Sequence, residues 1–166
     1  MKKYCFAALL CLFTLLAATQ SVHYHFSAPN AVHHEAEIRV TAKGLPAGAA
    51  IFRMSRSSPG RYATHEFGKN MYHLRAVDAA GNALPLQRLA ADVYSIANHG
   101  GEVTVQYTLF ANHADGTYAA IDKTGFHLNM PATFMWVKGL ESAPITLDLQ
   151  LPDSGWQIAT QLFTGS

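Results

Sequence analysis

Nine histidines and eleven Asp and Glu carry most of the chemical range of this 166-residue chain. Two His-Glu pairs stand out, because a helical H-E-x-x-H sets two imidazoles one turn apart on zinc, with the glutamate as base. His34-Glu35 continues as Ala36-Glu37-Ile38, and His65-Glu66 as Phe67-Gly68-Lys69, so each lacks its second imidazole. His23 and His25 fall two apart, a spacing that on a strand puts both rings on one face, where two imidazoles can share a metal. No third ligand follows from the sequence, and side chains at the surface or partly packed account for these rings better. There is no G-x-S-x-G elbow and no Gly-rich phosphate loop. Carboxylate pairs for glycosidic cleavage stay open, since such partners can be distant in sequence, but nothing positively supports them. The sequence predicts no catalytic residue and no metal ligand in this chain.

The elements that would position any site begin after a leader. Met1-Lys2-Lys3 is basic, Tyr4 to Ala18 is almost uninterruptedly apolar, and Thr19-Gln20-Ser21 returns to small polar residues. That is the form of a secretory signal peptide, too short for a spanning helix of about 20 residues. Cleavage is expected after Ala18 or Ser21, giving a leader over 1–21, a single domain over 22–166, and an exported, periplasmic or extracellular protein with no membrane attachment after cleavage. Both cysteines, Cys5 and Cys11, fall in the leader, so the remainder has no thiol chemistry and no disulfide. The formal charge of +1 over the whole sequence gives no basic footprint for nucleic acid.

After the leader the apolar period is two. Ala36, Ile38 and Val40 alternate with Glu35, Glu37 and Arg39; Val103, Val105, Tyr107 and Leu109 alternate with Thr104, Gln106 and Thr108; Ile145, Leu147, Leu149 and Leu151 alternate with Thr146, Asp148 and Gln150. Each run sets one face on a core and the other toward water. Turn signals such as Lys43-Gly44-Leu45-Pro46, Asp78-Ala79-Ala80-Gly81-Asn82 and Asn98-His99-Gly100-Gly101 separate them. Further strands are predicted at 23–27, 49–53, 71–77, 93–97, 133–137 and 156–160. The fold class that follows is all-β, an antiparallel β-sandwich of about 8–11 short strands preceded by the signal-peptide helix. Phe52, Tyr94, Tyr107, Phe134 and Trp136 are assigned to its core layers.

Ser55–Asn70 breaks the alternation. The stretch is polar, with a Pro59-Gly60 turn and a possible helical turn over Ala63–Phe67, and a connection of this length in a compact domain is more often functional than idle. Pro59-Gly60-Arg61-Tyr62 followed by His65-Glu66-Phe67-Gly68-Lys69-Asn70 resembles the P-x-W-x-P-G-x-Y-x-x-x-[DE]-[FY]-x-[RK]-[NH] stretch in the N-terminal domain of glycyl aminopeptidase-like zinc metallopeptidases, peptidase family sixty-one. Asp78-Ala79-Ala80-Gly81-Asn82-Ala83-Leu84-Pro85 is similar to that family's D-x-x-G-x-x-L-P, Val103 to Asn112 to its v-x-Y-x-v-y-A-n strand, and Gly155-Trp156-Gln157-Ile158-Ala159-Thr160 to its G-W-x-v-A-T ending. The family's tryptophan before Pro-Gly is replaced here, and Gly125 to Phe134 stands where the family has G-F-F-N-G-T-S-L-F.

The resemblance implies a non-catalytic domain. Full-length relatives follow it with a thermolysin-like domain carrying H-E-x-x-H and zinc, and often a PDZ domain. Both are missing from this chain, so the cofactor expected here is none, with zinc only in the catalytic domain. The implied role is to pack beside that domain and shape its substrate cleft, through a surface around Pro59–Tyr62 or Phe126–Trp136. The implied partners are a catalytic metallopeptidase domain or a peptide; the alternative is a free-standing module that binds peptide or sugar. The candidate interface or cleft loop comprises Pro59, Gly60, Arg61, Tyr62, Glu66 and Phe67. Tyr62 and Phe67 are expected to pack beneath the loop. Arg61 and Glu66 are expected to pair across it, with a substrate-facing role as the alternative.

Overall fold

Strands form where the alternating runs lie. A computed structural model describes residues 19–163, so the expected leader helix up to Ala18 lies outside the described residues. Among those, no helix is long and apolar enough to cross a membrane. In chain order the strands are β1 (Ser21–Asn30), β2 (Glu35–Lys43), β3 (Ala50–Arg53), β4 (Met71–Val77), β5 (Ala83–Leu84), β6 (Leu86–Ala90), β7 (Val93–Ile96), β8 (Glu102–Phe110), β9 (Ala120–Asp122), β10 (Gly125–His127), β11 (Trp136–Val137) and β12 (Ile145–Gln150). They build a six-stranded sheet in the order β12-β1-β2-β8-β4-β5, a four-stranded sheet in the order β11-β3-β7-β6, and the β9-β10 hairpin.

The alternation decides which face is dry. Val22, Tyr24 and Phe26 of β1, Ala36, Ile38, Val40 and Ala42 of β2, and Val103, Val105, Tyr107 and Leu109 of β8 are all buried on one face of the large sheet. Phe52 of β3, Tyr94 and Ile96 of β7, and Val137 of β11 are buried in the same core from the small sheet. Between the layers, the Tyr24 ring meets Phe134 at 5.0 Å. The Tyr107 hydroxyl donates to the Thr133 carbonyl at 2.7 Å and accepts from the Met135 N–H at 3.1 Å. Burial drives its phenol pKa far above the ordinary range.

Four details differ from the sequence reading. The strands number twelve among the described residues rather than 8–11, because the two- and three-residue ladders β5, β9 and β10 carry no alternation to read. The β1–β12 pair is parallel, the arrangement open to two strands separated by a long crossover; here nearly the whole domain is that crossover. Thr133 closes a helical turn over Met130–Thr133 instead of opening a strand, since Pro131 sits in its first turn, where a missing N–H is tolerated. Residues 156–160 form no strand; the Trp156 ring lies 4.5 Å from Phe126, which in turn meets Phe26, so it is placed by ring contact and not by a ladder.

Candidate functional site

The non-alternating connection leaves β3 at Met54, which is buried and whose N–H donates to the Asp92 carbonyl at 2.9 Å. It returns to β4 through a 3-10 turn over Phe67–Asn70, one step later than the Ala63–Phe67 turn read from the sequence. In between, the chain is fastened by a few polar contacts. The buried Ser58 donates through Oγ to the Thr117 carbonyl at 3.1 Å, and Asn129 Nδ2 donates to Ser58 Oγ at 2.8 Å and to the same Thr117 carbonyl. Thr133 Oγ1 donates to the Asn129 carbonyl at 2.8 Å, which ties the Met130–Thr133 turn into the set. Ser58, Thr117 and Asn129, distant in sequence, thus form one junction.

Pro59 and Gly60 make the exposed turn above it. Gly60 takes φ +76 with open space around its α-carbon, a backbone position glycine adopts at least cost. Gly68 is required for another reason: a Cβ there would lie 2.9 Å from the Ala91 backbone oxygen, in the turn between β6 and β7. Phe67 is wholly buried, as the sequence predicts. Its ring stacks on His65 at 5.5 Å and meets Tyr118 edge-on at 5.3 Å.

Two sequence expectations fail. Tyr62 is fully exposed, at 107% relative accessibility, because the Pro59-Gly60 turn carries it outward. Glu66 pairs with Arg56, Nη2 to Oε1 at 2.8 Å, and not with Arg61. The His65 and Glu66 N–H groups both donate to the Arg56 carbonyl, at 2.6 and 3.1 Å, and so fold Arg56 back onto Glu66. The Arg61 guanidinium lies instead over Gly116, 3.2 Å from where a Cβ would stand.

Tyr118 is the hub on the opposing side. His113 meets its ring at 4.8 Å, Lys69 Nζ sits 5.7 Å from the ring centroid, and its hydroxyl lies 3.3 Å from His65 Nδ1. Asp115 shapes the turn that presents it, accepting the Tyr118 and Thr117 N–H groups at 2.9 and 2.7 Å. Those two bonds, with the His113 imidazole beside them, hold the Asp115 carboxyl below the usual carboxylate range. Beside Tyr118 opens a cleft of about 310 Å³ lined by Lys69, Asn70, Phe110, Asn112 and His113, with Phe110 half-exposed. Met130, on the adjoining turn, is also exposed.

The sequence reading named the 55–70 loop but gave no site role to His113, Tyr118, Lys69 or Asn129. Asn129 before Met130-Pro131 was the available signal, a cap-type residue preceding proline at a helical start. Among the described residues, no three His, Cys, Asp or Glu side chains converge where a metal ion could sit. The donor set therefore does not fit zinc, and nothing here routes through one. Chemically the cleft offers an aromatic floor, one ammonium and two side-chain amides, which suits holding an extended chain or covering a neighbouring surface.

The profile of the peptidase M61 N-terminal domain matches residues 23–166. This chain belongs to that peptidase M61 N-terminal domain family. A crystal structure of an aminopeptidase N family protein from Idiomarina loihiensis is similar to this M61 N-terminal domain, with a TM-score of 0.72 and 21% identity. The match covers 78% of this chain and 22% of that one, and at this identity it shows the fold. None of the curated proteins matches the chain.

Proposed function

We propose that this M61 N-terminal domain is a non-catalytic domain of an exported glycyl aminopeptidase-like metallopeptidase, and that it packs beside a zinc catalytic domain and walls its substrate cleft. The observation that carries this reading is the loop cluster. Pro59–Tyr62 projects a fully exposed tyrosine, on a loop stiffened by the junction of Ser58, Thr117 and Asn129. An aromatic held out on a fastened loop is a favoured anchor in a contact between domains. Arg61 extends over Gly116 of the opposing turn and Lys69 lies on the Tyr118 ring, so this connection sends two cations to the turn that presents Tyr118. In this reading zinc and the general base belong to the catalytic domain, and this domain contributes shape and positioning.

The test mixes the full chain with a separately produced catalytic domain of the same family and follows cleavage of glycyl- and alanyl-anilides. The reading expects complex formation and increased turnover, and Tyr62→Ala should reduce both. No complex and no change in turnover would contradict it and turn attention to a free-standing module that binds peptide or sugar.

A further inference from the structure

The outward face of the large sheet is polar, and the strand register sets its side chains in rows. His23 faces Thr41, Thr41 faces Thr104, and Thr104 faces Val77. In the next row His25 faces Arg39, Arg39 faces Gln106, and Gln106 faces Arg75. These two rows border a depression of about 340 Å³.

The acids beside it are engaged, whereas two donors within it, the Arg39 guanidinium and the Gln106 amide, are free. Asp148, opposite His25 on β12, lies 3.3 Å from His23 Nε2. Glu37, one position along β2 on the same face, accepts from Thr108 Oγ1 at 2.9 Å. Thr41 and Thr104 bond each other at 2.8 Å. Arg75 Nε donates to Gln106 Oε1 at 2.7 Å, which leaves the Gln106 amide N–H groups available. None of the ion pairs among the described residues uses Arg39. His25 Nε2 is enclosed and has no hydrogen-bond partner among them. An arginine fork beside free amide and imidazole nitrogens is a geometry that matches the two oxygens of a carboxylate or phosphate.

We propose that this depression is an oxyanion site, in which the Arg39 guanidinium and the Gln106 amide hold a carboxylate or phosphate group of a small ligand and His25 closes one side. The imidazole supplies a built-in reporter. Burial and then Arg39 hold the His25 pKa below the ordinary histidine range, with Asp148 opposing and His23 adding to them. An anion beside the ring favours its protonated form, so binding raises that pKa.

The experiment titrates the full chain with inorganic phosphate and, separately, with citrate at constant ionic strength, following the histidine ring protons by NMR and the heat by calorimetry. The proposal expects a saturable response confined to His25 and its row, with the His25 titration midpoint moving upward. Saturation by phosphate alone or by citrate alone identifies which oxyanion is preferred. Arg39→Gln weakens binding by about tenfold or more, the loss expected when a charge-assisted pair is removed. Gln106→Glu, nearly isosteric, abolishes it by setting a carboxylate against the ligand. Lys43→Gln, at the end of β2, leaves the affinity unchanged. Arg39 is exposed, so an unaltered melting temperature is expected for its variant. No saturable response to either anion, or equal weakening by Arg39→Gln and Lys43→Gln, overturns the proposal and assigns any effect to the diffuse field of the face.

Discussion

Along β2, Ala36, Ile38, Val40 and Ala42 are all essentially inaccessible, and their register partners on β1 and β8 are buried with them. Over Ser55–Asn70, by contrast, only Ser58, Phe67 and Gly68 are buried, and the segment is fastened through side-chain hydroxyl and amide bonds to two other loops. The sheet owes its order to apolar area removed from water, which is non-directional and spread over many residues. The loop cluster depends on a handful of directional contacts, each of which can be lost singly. A domain built this way can keep its sheet while its loop cluster changes, because the two regions fail for different reasons.

The largest effect is expected from the sheet. Phe26→Ala, at a fully buried position, should cost about 3–5 kcal/mol in denaturant unfolding, and all probes of the domain should move together. Retention of the sheet with loss of the loop cluster alone would break the comparison. Next is a side chain of the large sheet that holds the segment after the Met130–Thr133 turn. Tyr107→Phe strips partners from the buried Thr133 carbonyl and Met135 N–H, and should cost about 1–3 kcal/mol, with exchange at Met135 rising more than at Val103 or Val105. Gly68→Ala, forced against the Ala91 backbone oxygen, should lower stability by about 1–3 kcal/mol and disturb the turn between β6 and β7 as well as the loop.

The acid limb sharpens the contrast further. Asp115 has a depressed carboxyl, so its contribution is fully present above the ordinary carboxylate pKa of about 4 and is lost as pH falls through its lower folded value. Asp115→Asn should flatten that part of the stability profile, and resonances of Thr117 and Tyr118 should report the change before those of β2. The smallest effect belongs to the exposed Arg56–Glu66 pair: Glu66→Gln should alter stability by about 0–1 kcal/mol and be insensitive to everything but salt.

How much of this was legible follows from the same contrast. The sheet was readable because burial on one face imposes a period of two on neighbouring residues, and the run at Met71–Val77 matches its strand end to end. The dyad at Pro59-Gly60 was readable as a turn because its residue types are demanded by backbone geometry. The partner of Glu66 was not, because Arg61 is the nearer arginine in sequence and only the fold of the backbone onto the Arg56 carbonyl brings the more distant Arg56 to it. Nor was the Ser58–Thr117–Asn129 junction, which joins positions with no periodic relation. Tyr62 was expected beneath the loop together with Phe67, but the Pro59-Gly60 turn carries it into water. The outward rows at Arg39 and Gln106 were hidden for another reason: the pattern marks them as solvent-facing but is silent on which polar neighbours satisfy one another.

The central claim is that the loop cluster, and not the face of the large sheet, is the surface that meets a catalytic domain. It is tested most directly by amide hydrogen exchange on the full chain, alone and with a separately produced catalytic domain of the family. The account predicts added protection in residues 55–70, 111–119 and 129–134, with exchange in β1 and β2 unchanged. Protection centred on β1 and β2, or none in the loop segments while a complex forms, would contradict it.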